Sequence, residues 1–268
     1  GGVGKCIAEW IIDGEPSIDV WAMDVARFGD YASPQYGTIK SSENYERRFI
    51  MTFPNETLPK GRKQKTTALY DRFVNQGAVM GDSFGLENVL WFANNKEDAH
   101  EEPTIKRSRS HDYVSKEVIN VRENVGLIEV ANFAKHEFKG TDARKFLDHV
   151  MAGKLPKPGR ISLSPMLSYR GKLCGDLTVA CLDENEFMVF GSGAAQDMHR
   201  RWFESHLYKF EVNYKNRSDE FHGISIAGPN SRKVLEKVVR DDVTNEKFKF
   251  RDSKRMFVGG VPAIINRI

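Results

Sequence analysis

The stretch Ser162–Gly193, SLSPMLSYRGKLCGDLTVACLDENEFMVFGSG, limits what this chain can fold into more than any other. Leu177-Thr-Val-Ala-Cys-Leu182 and Phe187-Met-Val-Phe190 are rich in β-branched and aromatic residues, and the polar Asp183-Glu-Asn-Glu186 between them supplies a turn. The pattern predicts a β-hairpin with a turn-forming segment on either side. Asp176 stands where the first strand leaves the glycine-flanked turn Arg170-Gly-Lys-Leu-Cys-Gly175, and the second strand ends in Gly191-Ser-Gly193. Missing side chains there let a flat ligand approach the backbone. From the residues alone Asp176 has two readings: an ordinary turn residue, which the turn preference of Asp favours, or a ligand-binding carboxylate at the mouth of the hairpin.

Around this stretch the signals alternate between helix and strand. Gly1-Gly-Val-Gly-Lys5 reads as a glycine turn feeding a short amphipathic helix to Ile12, with Gly14 as its cap. It resembles the end of a variant Walker motif, but Cys6 stands where a magnesium-holding Ser or Thr belongs and no strand precedes it. Glu15-Pro16 turns the chain extended. Residues 41–53 read as helical and then extended, 66–77 as helix, 78–80 as a short strand and 84–91 as an irregular aromatic segment. The polar run 94–111 is the best internal boundary. A helix is predicted over 114–124 with Gly126 as its cap, and a strand over 127–133 continuing toward 138–140. A helix capped by Thr141 follows, and after the hairpin a helix over 194–207, strands at 211–213 and 223–228, a helix after Gly228-Pro229 and a strand at the end. Hairpins without repeated βαβ units predict an α+β fold.

Composition excludes more than it specifies. The 268 residues can bury a core for one or two domains, and the net charge of +3 comes from 40 basic and 37 acidic residues interspersed along the chain. The basic runs Lys60–Lys65 and Lys106–Arg109 lack the aromatic interleaving of a single-strand platform, so no nucleic-acid partner is expected. Three scattered cysteines and seven histidines form no disulfide framework and no metal-ligand spacing, which fits a reducing compartment. The histidines are expected to be surface or structural, and neither a metal nor a membrane span is expected. A first residue other than Met, inside a motif, and a last residue inside a strand read as part of a longer protein.

Taken in order, the segments resemble the C-terminal part of the dimethylglycine/sarcosine dehydrogenase family. Gly1-Gly-Val-Gly-Lys with Ala-Glu-Trp-Ile and Gly14-Glu-Pro16 resembles the end of that family's FAD-binding oxidoreductase domain, and Asp24-Val-Ala-Arg-Phe the link into its central domain. Val125-Gly-Leu-Ile-Glu-Val130, Phe138-Lys-Gly140, Met166-Leu with Arg170-Gly171, Gly175-Asp-Leu-Thr-Val179 and Ile226-Ala-Gly-Pro229 resemble the folate-binding module shared with the aminomethyltransferase of the glycine cleavage system. The resemblance implies a division into the tail of the FAD domain (1–28), a small central domain (29–93) and the first part of an aminomethyltransferase-like domain (94–268).

The resemblance also implies an enzyme that demethylates an N-methyl amine, dimethylglycine or sarcosine, with FAD. The one-carbon unit passes to tetrahydrofolate as 5,10-methylenetetrahydrofolate, and an electron-transfer protein or oxygen takes the electrons. It turns the reading of Asp176 to the catalytic one, acting on the folate amine. Phe133 would pack on the pteridine, Phe190, Gly191 and Ser192 would line the folate pocket, and Gly2, Val3 and Gly4 would meet the flavin. Two departures from the aminomethyltransferase pattern are Gly175, where that relative has a second Asp, and Gly171-Lys172, where it has a Gly-Gly pair. The alternatives are a folate-dependent aminomethyltransferase without a redox centre and a non-catalytic folate-binding module. A bacterial cytoplasm is expected before a mitochondrial matrix.

Overall fold

The computed structural model describes residues 1–54 and 56–268. Helix α1 (Gly2–Asp13) ends at Gly14, whose φ of 82° and N–H bond to the Trp10 carbonyl make it the left-handed cap. Gly2, Val3 and Gly4 lie inside this helix and not in a turn before it. Glycine in a first turn breaks no ladder bond, because the first four N–H groups of a helix have no partner within it. Two single-turn 3-10 helices follow, Trp21–Met23 and Val25–Arg27, the second capped by the Asp24 carboxylate accepting from Ala26 N at 2.8 Å.

Helix α2 (Pro34–Glu46) begins well before the expected residue 41. Its start signal is Ser33-Pro34: the serine Oγ accepts from Tyr36 N at 3.2 Å and proline sits at the first helical position. Beyond α3 (Tyr70–Asn75), the segment expected to be irregular is half of a hairpin, β1 (Ala78–Ser83) with β2 (Leu86–Phe92). Ser83 pairs with Leu86, so the turn is only Phe84-Gly85, with φ of 52° and 80°, the doubly positive turn whose twist suits a tight hairpin. Val79, Trp91 and Ala93 of this hairpin pack on Tyr113 and Val114 of α4 (Ser110–Glu123), across the polar run.

The expected strand over 127–133 is divided. Its first half, β3 (Gly126–Glu129), pairs antiparallel with residues 224–227, and β4 (Ala134–Lys139) enters the main sheet. Gly126 is therefore in a strand and does not cap α4, whose cap is Asn124. Helix α5 (Ala143–Val150) starts from Asp142, and Thr141 does not cap it; the threonine hydroxyl donates to Glu211 Oε2 instead. The hairpin read from the sequence is β6 (Leu173–Asp183) and β7 (Glu186–Gly191), but β6 has a second partner in β5 (Arg160–Leu167). Then follow α6 (Gln196–His206), β8 (Asn213–Asn216), β9 (Ile224–Ala227), α7 (Ser231–Leu235) and the hairpin β10 (Ser253–Val258) with β11 (Val261–Asn266).

The main sheet is antiparallel, in the order β5-β6-β7-β4-β8, within the expected α+β class. Period-two alternation gives it two faces. On one, Phe138, Leu177, Val179, Phe187 and Val189 bury against Phe146 and Leu147 of α5 and Phe203 of α6. On the other, Ala180 and Met188 pack with Ile161 under the partly covered Phe190, Phe221 and Ile264.

Candidate functional site

Strand register assembles the predicted folate residues. Thr178 of β6 pairs with Phe190 of β7, so Asp176, still inside β6 and paired with Pro165 of β5, comes level with Ser192, just past the end of β7, at one end of the sheet. Ala134 of β4 pairs with Gly191, so Phe133 leaves at that end too. The loop carrying Phe133 is seated there by Gly193, where a Cβ would fall 1.8 Å from the Asn132 carbonyl oxygen. Asp176, Phe133 and Ser192 are exposed and Phe190 is half-buried. The Asp176 carboxylate has no hydrogen-bond or ion-pair partner among the described residues.

Gly191 differs from the other predicted pocket residues. It is buried, and its bare Cα faces the core: a Cβ would fall 2.4 Å from Leu177 Cδ2 and 3.2 Å from His199 Nδ1. Its size is thus set by packing behind the sheet. The neighbouring lysine is a site residue that the sequence did not single out. Lys135 pairs with Phe190 across the strands, is nearly fully buried, and donates from Nζ to the Ala131 carbonyl at 2.9 Å and the Phe133 carbonyl at 2.7 Å. It pins the backbone on both sides of the exposed aromatic, and burial pushes its ammonium pKa down to about 8. The available signal was the alternation of charged Lys135 and Glu137 with His136 and Phe138 on one strand.

An exposed carboxylate with no partner among the described residues, at the same end of the sheet as two aromatic rings, fits a flat ring system bearing a basic nitrogen. The residues predicted for the flavin form no comparable cradle. Gly2, Val3 and Gly4 are exposed, α1 has no buried residue, and nothing lies within 4 Å of where a side chain would grow on Gly2 or Gly4. These two sets of residues are nonetheless linked. Arg170 in the β5–β6 loop reaches Glu15 at 3.2 Å and the Asp13 carbonyl at 3.3 Å, and Lys172 Nζ donates to the Pro16 and Ser17 carbonyls, each at 3.3 Å. The chain leaving α1 is clipped to the loop that opens β6, the strand of Asp176.

Among the described residues no group of three or more His, Cys, Asp or Glu side chains could hold a metal ion, and no helix is long and apolar enough to cross a membrane. Of the histidines, His136 and His199 are buried beneath the sheet, with ring centroids 6.3 Å apart.

The family model of the GCVT N-terminal domain matches residues 69–268. The chain belongs to that family. Ahead of the GCVT domain, the FAD dependent oxidoreductase central domain matches residues 13–67. Over 272 residues the chain is 33% identical to the mitochondrial dimethylglycine dehydrogenase of Mus musculus, covering 100% of this chain and 31% of that protein. It is 26% identical over 307 residues to the mitochondrial sarcosine dehydrogenase of Homo sapiens, covering 97% of this chain and 33% of that protein. The resemblance to dimethylglycine and sarcosine dehydrogenases thus runs across the whole chain, which spans about a third of the length of these relatives. The glycine cleavage system aminomethyltransferase T from Bartonella henselae shares the fold, with a TM-score of 0.56 at 20% identity over 71% of this chain and 47% of that one.

Proposed function

We propose that this chain is the part of an FAD-dependent N-methyl amine dehydrogenase that receives the one-carbon unit on tetrahydrofolate, giving 5,10-methylenetetrahydrofolate. Dimethylglycine or sarcosine is the amine, and an electron-transfer protein or oxygen is the electron acceptor. The observation that carries the reading is the succession, in one chain, of an FAD dependent oxidoreductase central domain and a GCVT domain. A folate-dependent aminomethyltransferase without a redox centre has no use for the first. In this reading the first residues close the FAD domain, the central domain takes up the matched residues 13–67 and the folate domain the matched residues 69–268, in a protein of the bacterial cytoplasm or the mitochondrial matrix.

Tetrahydrofolate supplies the nucleophilic amine. In this proposal the work of the chain is to bind and to move a proton. Phe133 and Phe190 offer ring faces to the pterin, and the backbone at Gly191 and Ser192 offers hydrogen bonds to its edge. Asp176 accepts the proton of the attacking nitrogen, for which its carboxylate is free, and its negative charge favours positive charge developing beside it. Gly2, Val3 and Gly4 are proposed to lie toward the flavin.

The test is Asp176→Ala in the complete protein, with two rates measured on one preparation. Flavin reduction by the amine is expected to be unchanged, while transfer to tetrahydrofolate falls by about 10²–10⁴-fold, the usual contribution of a positioned acid or base. Unchanged transfer would remove Asp176 from the mechanism. No flavin reduction by any N-methyl amine in the unsubstituted protein would remove the dehydrogenase reading.

A further inference from the structure

A buried imidazole stands behind the candidate site. His199 projects from α6 to the rear of β6 and β7 and is 2% exposed. It fills the space that side chains at two glycines would take: a Cβ on Gly175 would fall 2.7 Å from its Nε2, and one on Gly191 3.2 Å from its Nδ1. These glycines immediately precede Asp176, in β6, and Ser192, just past β7, the two residues that stand level at this end of the sheet. Nε2 lies 3.3 Å from the Cys174 carbonyl oxygen, an acceptor only, so Nε2 carries the proton and donates. One ring thus touches both strand ends and holds the backbone two residues before the Asp176 carboxylate.

The ring is itself held, and at a cost. It meets His136 edge to face, and His136 is fixed by a 2.9 Å bond between its Nδ1 and the Tyr214 hydroxyl. Among the described residues, His199 Nδ1 is buried without a hydrogen-bond partner. A buried acceptor left unpaired costs stability, which an apolar side chain of similar size would avoid. Burial holds the imidazole pKa below its ordinary value, against the upward pull of the Cys174 carbonyl and the Asp176 charge, so the ring is neutral at pH 7. What the histidine contributes that a leucine would not is the donor to Cys174 and a flat edge that two glycines accept.

We propose that His199 is a positioning residue for the folate site: by packing on Gly175 and Gly191 and donating to Cys174, it fixes where Asp176 and Ser192 stand relative to each other. This rests on the folate reading above and adds to it the residue pair 175/199. The second Asp of the aminomethyltransferase pattern cannot occupy position 175 while an imidazole fills that space, so Gly175 and His199 form one unit.

The test is a double-mutant cycle in the complete protein, read by calorimetric titration with 5-formyltetrahydrofolate and by the thermal unfolding midpoint. His199→Ala frees the strand ends, and Gly175→Ala drives a methyl into the ring. Each is expected to weaken binding by about tenfold, whereas in the His199→Ala background the added methyl enters the vacated space and costs less than about threefold. His199→Gln, whose amide N–H can still reach the Cys174 carbonyl, is expected to bind within about threefold of the unsubstituted protein even where its midpoint falls. Equal costs of Gly175→Ala in both backgrounds, or full binding by both single variants, would overturn the positioning role alone. An unsubstituted protein that does not bind 5-formyltetrahydrofolate would overturn the folate reading and this proposal together.

Discussion

His136 is sealed among Phe203, Tyr214 and His199, and burial pushes its imidazole pKa from 6.5 down to about 3. The sign of the consequence follows from proton counting. Between pH 6.5 and about 3 the unfolded chain binds this proton and the folded chain does not, so stability falls as pH falls through that window, by up to about 1.4 kcal/mol per pH unit. Above pH 6.5 both states are neutral and the dependence from this group ends. His136→Phe is expected to flatten the acid limb in urea titrations across that window. At pH 8 it should cost about 1–3 kcal/mol, because the Tyr214 hydroxyl loses its partner. Neither buried histidine was distinguishable in the sequence from the five others, because the groups that enclose each ring come from distant strands and helices. Asp176 was legible as a candidate because it stands next to a glycine turn on a strand with a clear pattern, and the register brings Phe133 and Ser192 to the same end of the sheet.

Among the elements, the hairpin β1–β2 shows how a turn can hide in a sequence. Phe84 adopts positive φ at a place where Asn or Gly is the usual signal, so the segment reads as irregular although its strands pair residue for residue, apart from one bulge. Gly85 is bound to its place for two reasons, a φ of 80° and the Tyr31 ring, 2.4 Å from where a Cβ would be. Gly85→Ala is expected to cost about 1–3 kcal/mol in chemical denaturation, and the loss should exceed that of an alanine placed at the open Gly37. Strand β5 was missed for a related reason. Ser162, Ser164 and Pro165 make it look like loop, yet Ser162 and Ser164 are buried and the Ser164 hydroxyl accepts from Gly153 N at 3.1 Å. The proline is tolerated because β5 is an edge strand, where a missing N–H need not break a ladder.

At the scale of the whole molecule, segments far apart in sequence are tied by a few specific contacts. Asp24 pairs with Arg201 of α6 at 2.8 Å, Lys65 with Asp219 at 3.1 Å, and the β1–β2 hairpin shares its small core with α4. The exposed run between them contains Lys106 and Arg107. Brief trypsin treatment is expected to cut there first, and the two pieces should elute together in size exclusion, because Trp91 against Tyr113, with ring centroids 5.0 Å apart, holds across the nick. Pieces that separate would show that the small core is too weak to join them. The order of domains was readable because it follows the chain. The contacts between them were not, since each depends on side chains that meet only after both parts have folded. Helix α1 carries this dependence furthest. It is 12 residues long with none buried, and helices of that length barely persist alone in water. Its order is therefore conditional: hydrogen exchange along α1 reports how much of Val3, Ile7 and Ile11 some other surface shields, and so measures docking at this end of the chain without any assay of chemistry.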